Sequence, residues 1–109
     1  MKKNGKSEPL DLHVLIEKEG RLYSALCLEL DVASQGHTIA KAKKNVIEAI
    51  ELYLESVYAA GEEKEFIPRP APVEEWVKYF EAMTKRMKSG FRASALRGKV
   101  RLREIVYAP

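Results

Sequence analysis

The hydrophobic pattern changes period once, in the first half of the chain, and that change limits the fold to a small sheet followed by a long helix. In LDLHVLIEKE, Leu12, Val14 and Ile16 fall on one face at period two while Asp11, His13 and Glu17 fall on the other, as in a half-buried strand. Glu19-Gly20 offers a tight reversal, because glycine reaches the positive φ that hairpin turns need. RLYSALCLEL alternates again, Leu22, Ser24, Leu26 and Leu28 against Tyr23, Ala25, Cys27 and Glu29, which predicts a second strand antiparallel to the first. DVASQG is a short third strand or a turn, ended by Gly36. From Thr38 the spacing becomes three and four: Ile39, Ala42, Val46, Ala49, Ile50, Tyr53 and Val57 form one stripe, with Thr38 as N-cap and Gly61 as stop. Ile47, Leu54 and Tyr58 widen the apolar face beyond what one sheet covers, so they are expected to form an interface with a second copy of the chain.

The remainder completes the fold. EEKEFIPRPAP carries prolines that lack amide donors, which predicts a connector over 62–72. VEEWVKYFEAMTKRMKSG returns to helical spacing, with Val73, Trp76, Val77, Phe80, Met83 and Met87 on one face and Trp76 and Phe80 as core anchors. Its first turn is acidic and its last basic, as the helix dipole prefers. GKVRLREIVYA alternates Val100, Leu102 and Val106 against Arg101, Arg103, Ile105 and Tyr107, and is expected at a sheet edge where arginines stay wet. The predicted class is α+β: a two-layer domain with an antiparallel sheet, β-β-β-α-(α)-β, and a long helix on one face. Residues 1–9 are expected as a flexible tail, 10–61 as the ββ(β)α unit, and 73–109 as a helix plus basic strand completing the domain or its oligomer.

Composition narrows the function classes. A chain of 109 residues is large enough for one core. No apolar run approaches bilayer length, and no secretory h-region follows the N-terminal lysines, so no membrane partner and a cytoplasmic location are expected. A single cysteine, Cys27, excludes an internal disulfide and a thiolate metal cluster; its place among alternating apolar residues predicts a buried thiol. Through residue 75 the chain holds ten Lys or Arg against fourteen Asp or Glu, but nine against two from Trp76 onward. The basic end suggests an acidic partner there.

The block from Gly20 to Ser56 resembles the HicB family of antitoxins: Cys27, Glu29 and Leu30, then Ser34-Gln35-Gly36 and Thr38, then the helix end Glu48–Glu55. Three local patterns occur in order with short gaps, and with the first strand they cover a little over half of the chain. The resemblance implies a truncated ribonuclease H-like fold. It also implies a protein that blocks the active site of HicA, a small ribonuclease toxin, and that commonly forms homo-oligomers. The chain departs from the family at Lys41, which removes the reciprocal half of a capping box, and at His37, a position often held by Asp. Residues 68–109 do not read as the helix-turn-helix or ribbon-helix-helix unit usual at the family's C-terminus, so operator binding does not follow.

Catalysis finds little support in the residue pattern. Asp11, Glu29, Asp31 and Glu48 are the carboxylates a ribonuclease H-like metal site would use, but Glu48 lies ten residues past Thr38, ~15 Å up the helix at its standard rise. His13 and His37 are separated by a whole hairpin, and no phosphate loop or Ser-His-Asp order occurs. No enzyme activity, metal or cofactor is therefore expected, and SQGHT reads as a bend and a helix start. Two binding surfaces remain. Glu17, Glu19, Glu29 and Asp31 form an acidic face suited to a basic, RNA-binding toxin surface. Lys85, Arg86, Lys88, Arg92, Arg97, Lys99, Arg101 and Arg103, interrupted by Phe91, form a basic segment suited to nucleic acid, and this is the alternative function of a solitary HicB-like regulatory protein.

Overall fold

The computed structural model describes residues 10–86, 92–96 and 100–107. The elements are β1 (Leu10–Glu19), β2 (Leu22–Cys27), β3 (Val32–Gly36), α1 (Ile39–Ala60), α2 (Glu63–Phe66), α3 (Val73–Arg86), β4 (Arg92–Leu96) and β5 (Val100–Tyr107). The tail expected over 1–9 lies outside the described residues. The strands form one five-stranded sheet in the order β3-β2-β1-β5-β4.

The α+β class holds, with the long α1 on one face of the sheet, but two expectations about the sheet are corrected. It is mixed, not wholly antiparallel: β5 runs parallel to β1, from Leu10 opposite Val100 to Glu17 opposite Tyr107, while the other ladders are antiparallel. Nor does β5 lie at an edge, because β4, a strand that the residue pattern did not announce, pairs along its outer side. The reason is in β1. Val14, Leu15 and Ile16 are consecutive and all buried, so this strand is covered on both faces and belongs in the middle of a sheet. The hairpin to β2 fills one edge, and β5, arriving after a long crossover, fills the other.

Period-two alternation sends each strand's side chains to opposite faces, and each face packs a different helix. Leu12, Val14, Ile16, Ala25, Cys27, Leu30 and Leu102 join Ala42, Val46, Ile50 and Leu54 of α1. Burying each leucine, isoleucine or valine here stabilises by ~1.5–3 kcal/mol. On the other face Leu15, Leu28 and Ile105 meet Ala71 and Tyr79 and Ala82 of α3, with Trp76 and Met83 packed beside them.

Helix α3 is turned from its expected orientation by about 100°, one residue of helical rotation. Tyr79 and Ala82 are buried, whereas Val73, Val77 and Phe80 are 68%, 50% and 51% exposed. Trp76 is thus a partly buried anchor and Phe80 is not one; Met87 lies outside the described residues. The apolar arc of α3 is wider than the sheet can cover, and the sheet takes the side centred on Tyr79, whose hydroxyl disguises it as a surface residue in the sequence. Leu54, expected at an interface between copies, is likewise buried in the chain's own core; Ile47 packs against that core, and only Tyr58 of the three is exposed, together with Leu52.

The junction between β3 and α1 explains SQGHT. A Cβ on the buried Gly36 would overlap the Ala42 amide nitrogen and stand 2.7 Å from Lys41 Cβ, so the first turn of α1 crosses the strand end where only glycine fits. Thr38 Oγ1 accepts a hydrogen bond from the Lys41 amide at 3.0 Å, and Asn45 Nδ2 donates to the Gln35 carbonyl at 2.7 Å. Gly61 ends the helix in the left-handed region.

The proline-rich connector, which includes the short α2, is fastened to the loop between β2 and β3. The Arg69 and Ala71 amides donate to the carbonyls of Glu29 and Leu28, each at 2.8 Å. The Arg69 side chain donates to the Leu30 carbonyl at 3.1 Å and lies over the Tyr53 ring, 4.8 Å from its centroid. These bonds deliver the chain from the α1 face to the start of α3 on the other.

Candidate functional site

Helix α3 covers only part of its face of the sheet. Beside it, the C-terminal half of β1, β2, β3 and the N-terminus of α3 enclose an open groove of about 850 Å³. Glu17 and Glu19 reach it from β1, Asp31 from the turn before β3, and Glu75 from the first turn of α3; Ala33, Ser34 and Gln35 form the wall nearest the end of the sheet. Among the described residues Lys78 is the one cation lining it, with its Nζ 3.3 Å from Glu17 Oε2 and 3.6 Å from Glu75 Oε1. Among the described residues four carboxylates stand against one ammonium, which makes this lining negative, and its partly low-dielectric walls strengthen that field relative to open solvent.

Three of the four acids expected on a partner-binding face meet in this groove. Glu29 does not. It turns toward β1, where Oε1 accepts from the His13 amide at 2.7 Å and Oε2 lies 2.5 Å from His13 Nδ1. Its place in the groove is taken by Glu75, which no local signal could have found: it belongs to the acidic first turn common to helices, and only the packing of α3 brings it to β1.

The His13–Glu29 pair was hidden in the sequence because the two residues lie sixteen positions apart on neighbouring segments. The Tyr79 ring meets the His13 ring edge-on, with centroids 5.5 Å apart. Burial, reinforced by the nearby Glu29 carboxylate and opposed by Arg103, pushes the Tyr79 phenol up to about 12. An imidazole held by a carboxylate is one half of an acid–base arrangement. Among the described residues no hydroxyl or thiol is hydrogen-bonded to it. Cys27 packs on the opposite face, and burial, then the Glu29 charge, push its thiol up to about 12, so it is no nucleophile at neutral pH.

The other acids weighed for metal chemistry are dispersed. Asp11 Oδ1 accepts from Arg101 Nε at 3.0 Å, and Glu48 is exposed on α1 near Glu51 and Glu55. Among the described residues no group of three or more histidine, cysteine or acidic side chains converges on a point that could hold a metal ion. His37 is exposed at the start of α1.

The basic segment is divided by the fold. Lys85 and Arg86 end α3, Arg92 opens β4, and Lys88, Arg97 and Lys99 lie outside the described residues. Arg101 is tied to Asp11, and Arg103 is half-buried beneath α3, with an Nε that finds no hydrogen-bond partner among the described residues. No helix of the described residues is long and apolar enough to cross a membrane. Compared with known proteins, the chain matches no family model, no curated protein and no solved structure.

Proposed function

We propose that the protein is a HicB-like antitoxin, a non-catalytic, cytoplasmic protein that neutralises a HicA-type ribonuclease toxin by covering the toxin's RNA-binding surface. One observation carries the reading: among the described residues Glu17, Glu19, Asp31 and Glu75 share one groove with a single ammonium, Lys78. A surface that binds RNA is basic, and an inhibitor that occupies it gains by presenting carboxylates where phosphates would lie. Such complementarity acts mainly on the rate of encounter and on selectivity. The motif order from Cys27 to Glu55 supports the family assignment. Homo-oligomerisation belongs to the same proposal, and the exposed Leu52 and Tyr58 of α1 support it.

The test is co-expression with the product of the adjacent open reading frame, followed by size exclusion and by kinetic titration of the purified pair. A stoichiometric complex that suppresses RNA cleavage is expected. Reversing Glu19 and Asp31, two exposed groove acids, to lysine should slow association at least about ten-fold at low salt, and added salt should shrink the difference. Absence of a complex, or a complex indifferent to both reversals, rejects the reading and leaves the alternative of a solitary regulatory protein whose basic end binds nucleic acid.

A further inference from the structure

A second, smaller cavity of about 200 Å³ lies between α3 and the β1–β5 pair, lined by His13, Trp76, Tyr79, Phe80, Met83 and Arg103. It shares no lining residue with the acidic groove. Its walls are the rings of His13, Trp76, Tyr79 and Phe80 and the Met83 thioether, and among the described residues that line it the Arg103 guanidinium is the one cation. The β1–β5 register sets His13 directly beside Arg103. The Glu29 carboxylate beside His13 is already engaged by the His13 amide and ring.

Arg103 Nε is shut off from solvent and has no hydrogen-bond partner among the described residues. The guanidinium as a whole is only half-buried and lines the cavity, and a charge-assisted hydrogen bond from it to an anionic group is stronger than one between neutral groups. Pockets for drug-sized ligands begin at about 300 Å³, so this one admits a single ring or a short chain.

We propose that this cavity binds a compact organic carboxylate, its flat apolar body against Trp76, Phe80 and Met83 and its negative group at Arg103. The site is independent of the antitoxin reading, since it uses other residues on another part of the surface.

Trp76 is the single tryptophan, so its fluorescence reports occupancy directly. The full chain is titrated with benzoate, with the neutral isostere benzamide, and with acetate, which has the charge without the ring. Saturable quenching by benzoate is expected, with benzamide and acetate each binding at least about ten-fold more weakly, as loss of a charge-assisted hydrogen bond or of the ring contact implies. Arg103→Gln should bring benzoate down to benzamide's affinity. Phe80→Ala, at a half-exposed wall residue whose loss spares the core, should weaken benzoate while thermal unfolding stays unchanged. Absence of saturation by about 10 mM benzoate in the unsubstituted chain overturns the proposal, because a millimolar constant is already only about 4 kcal/mol. Equal affinity for benzoate and benzamide, or benzoate binding that survives Arg103→Gln in a folded variant, overturns it as well.

Discussion

Replacing Gly36 by alanine tests the β3–α1 junction with a single methyl group. At a site with room and an ordinary backbone, glycine to alanine stabilises by ~0.4–1 kcal/mol, because it narrows the unfolded ensemble. Here the φ of Gly36 is not in the left-handed region, so the backbone conformation itself costs alanine nothing. The space does. The added Cβ would overlap the Ala42 amide nitrogen and meet Lys41 Cβ at 2.7 Å, and neither neighbour is the free end of a flexible chain. The helix start must lift away, loosening the Thr38 cap and the Asn45–Gln35 bond together. Overpacking of this kind costs ~1–3 kcal/mol, and loss of the cap up to ~1 kcal/mol more. In a domain of this size each kcal/mol lowers the melting temperature by about 4 °C, which predicts a fall of roughly 4–16 °C. Thermal unfolding by circular dichroism, with a urea series to show an unchanged denaturant slope, measures it. A variant as stable as the parent, or more stable, would refute the crossing of helix over strand at Gly36.

Three further outcomes follow from the packing. Tyr79→Ala should cost ~3–5 kcal/mol and Phe80→Ser less than about 0.5 kcal/mol, since one ring is buried and the other half exposed; comparable losses in chemical denaturation would mean that α3 faces the sheet differently. Cys27 and Tyr79 are both held protonated in the fold up to about 12, whereas the unfolded chain releases their protons at lower pH. The unfolded state therefore binds fewer protons above about pH 9, and stability should be full below that and decline toward pH 12, by up to ~1.4 kcal/mol per pH unit for each group; a flat alkaline limb would contradict the burial of both. Glu29→Ala leaves the His13 amide and ring without their acceptor and should destabilise by ~1–3 kcal/mol in urea unfolding, while Glu19→Ala, at an exposed site, should be neutral within about 0.5 kcal/mol.

What could be read locally was what one element determines by itself. The hairpin around Gly20, the capped start of α1 at Thr38 and its stop at Gly61 each depend on a few adjacent residues, and each is found in the fold. Cys27 is buried as its neighbours imply. The acidic groove was half legible: Glu17, Glu19 and Asp31 stand close in the chain, but Glu29, between them in sequence, leaves to hold His13, and Glu75 enters from a helix forty-four residues beyond Asp31.

By itself, then, the order of residues determined the periods, the caps and the class of fold, since backbone geometry converts a spacing of two or of three and four into strand or helix whatever lies across from it. The tertiary structure alone decided the parallel meeting of β1 with β5, the roll of α3 onto Tyr79, and the company each charge keeps. Those outcomes are choices among faces and edges that are nearly equivalent locally. They are settled by which arrangement buries both sides of Val14, Leu15 and Ile16 and leaves the fewest polar groups unpaired.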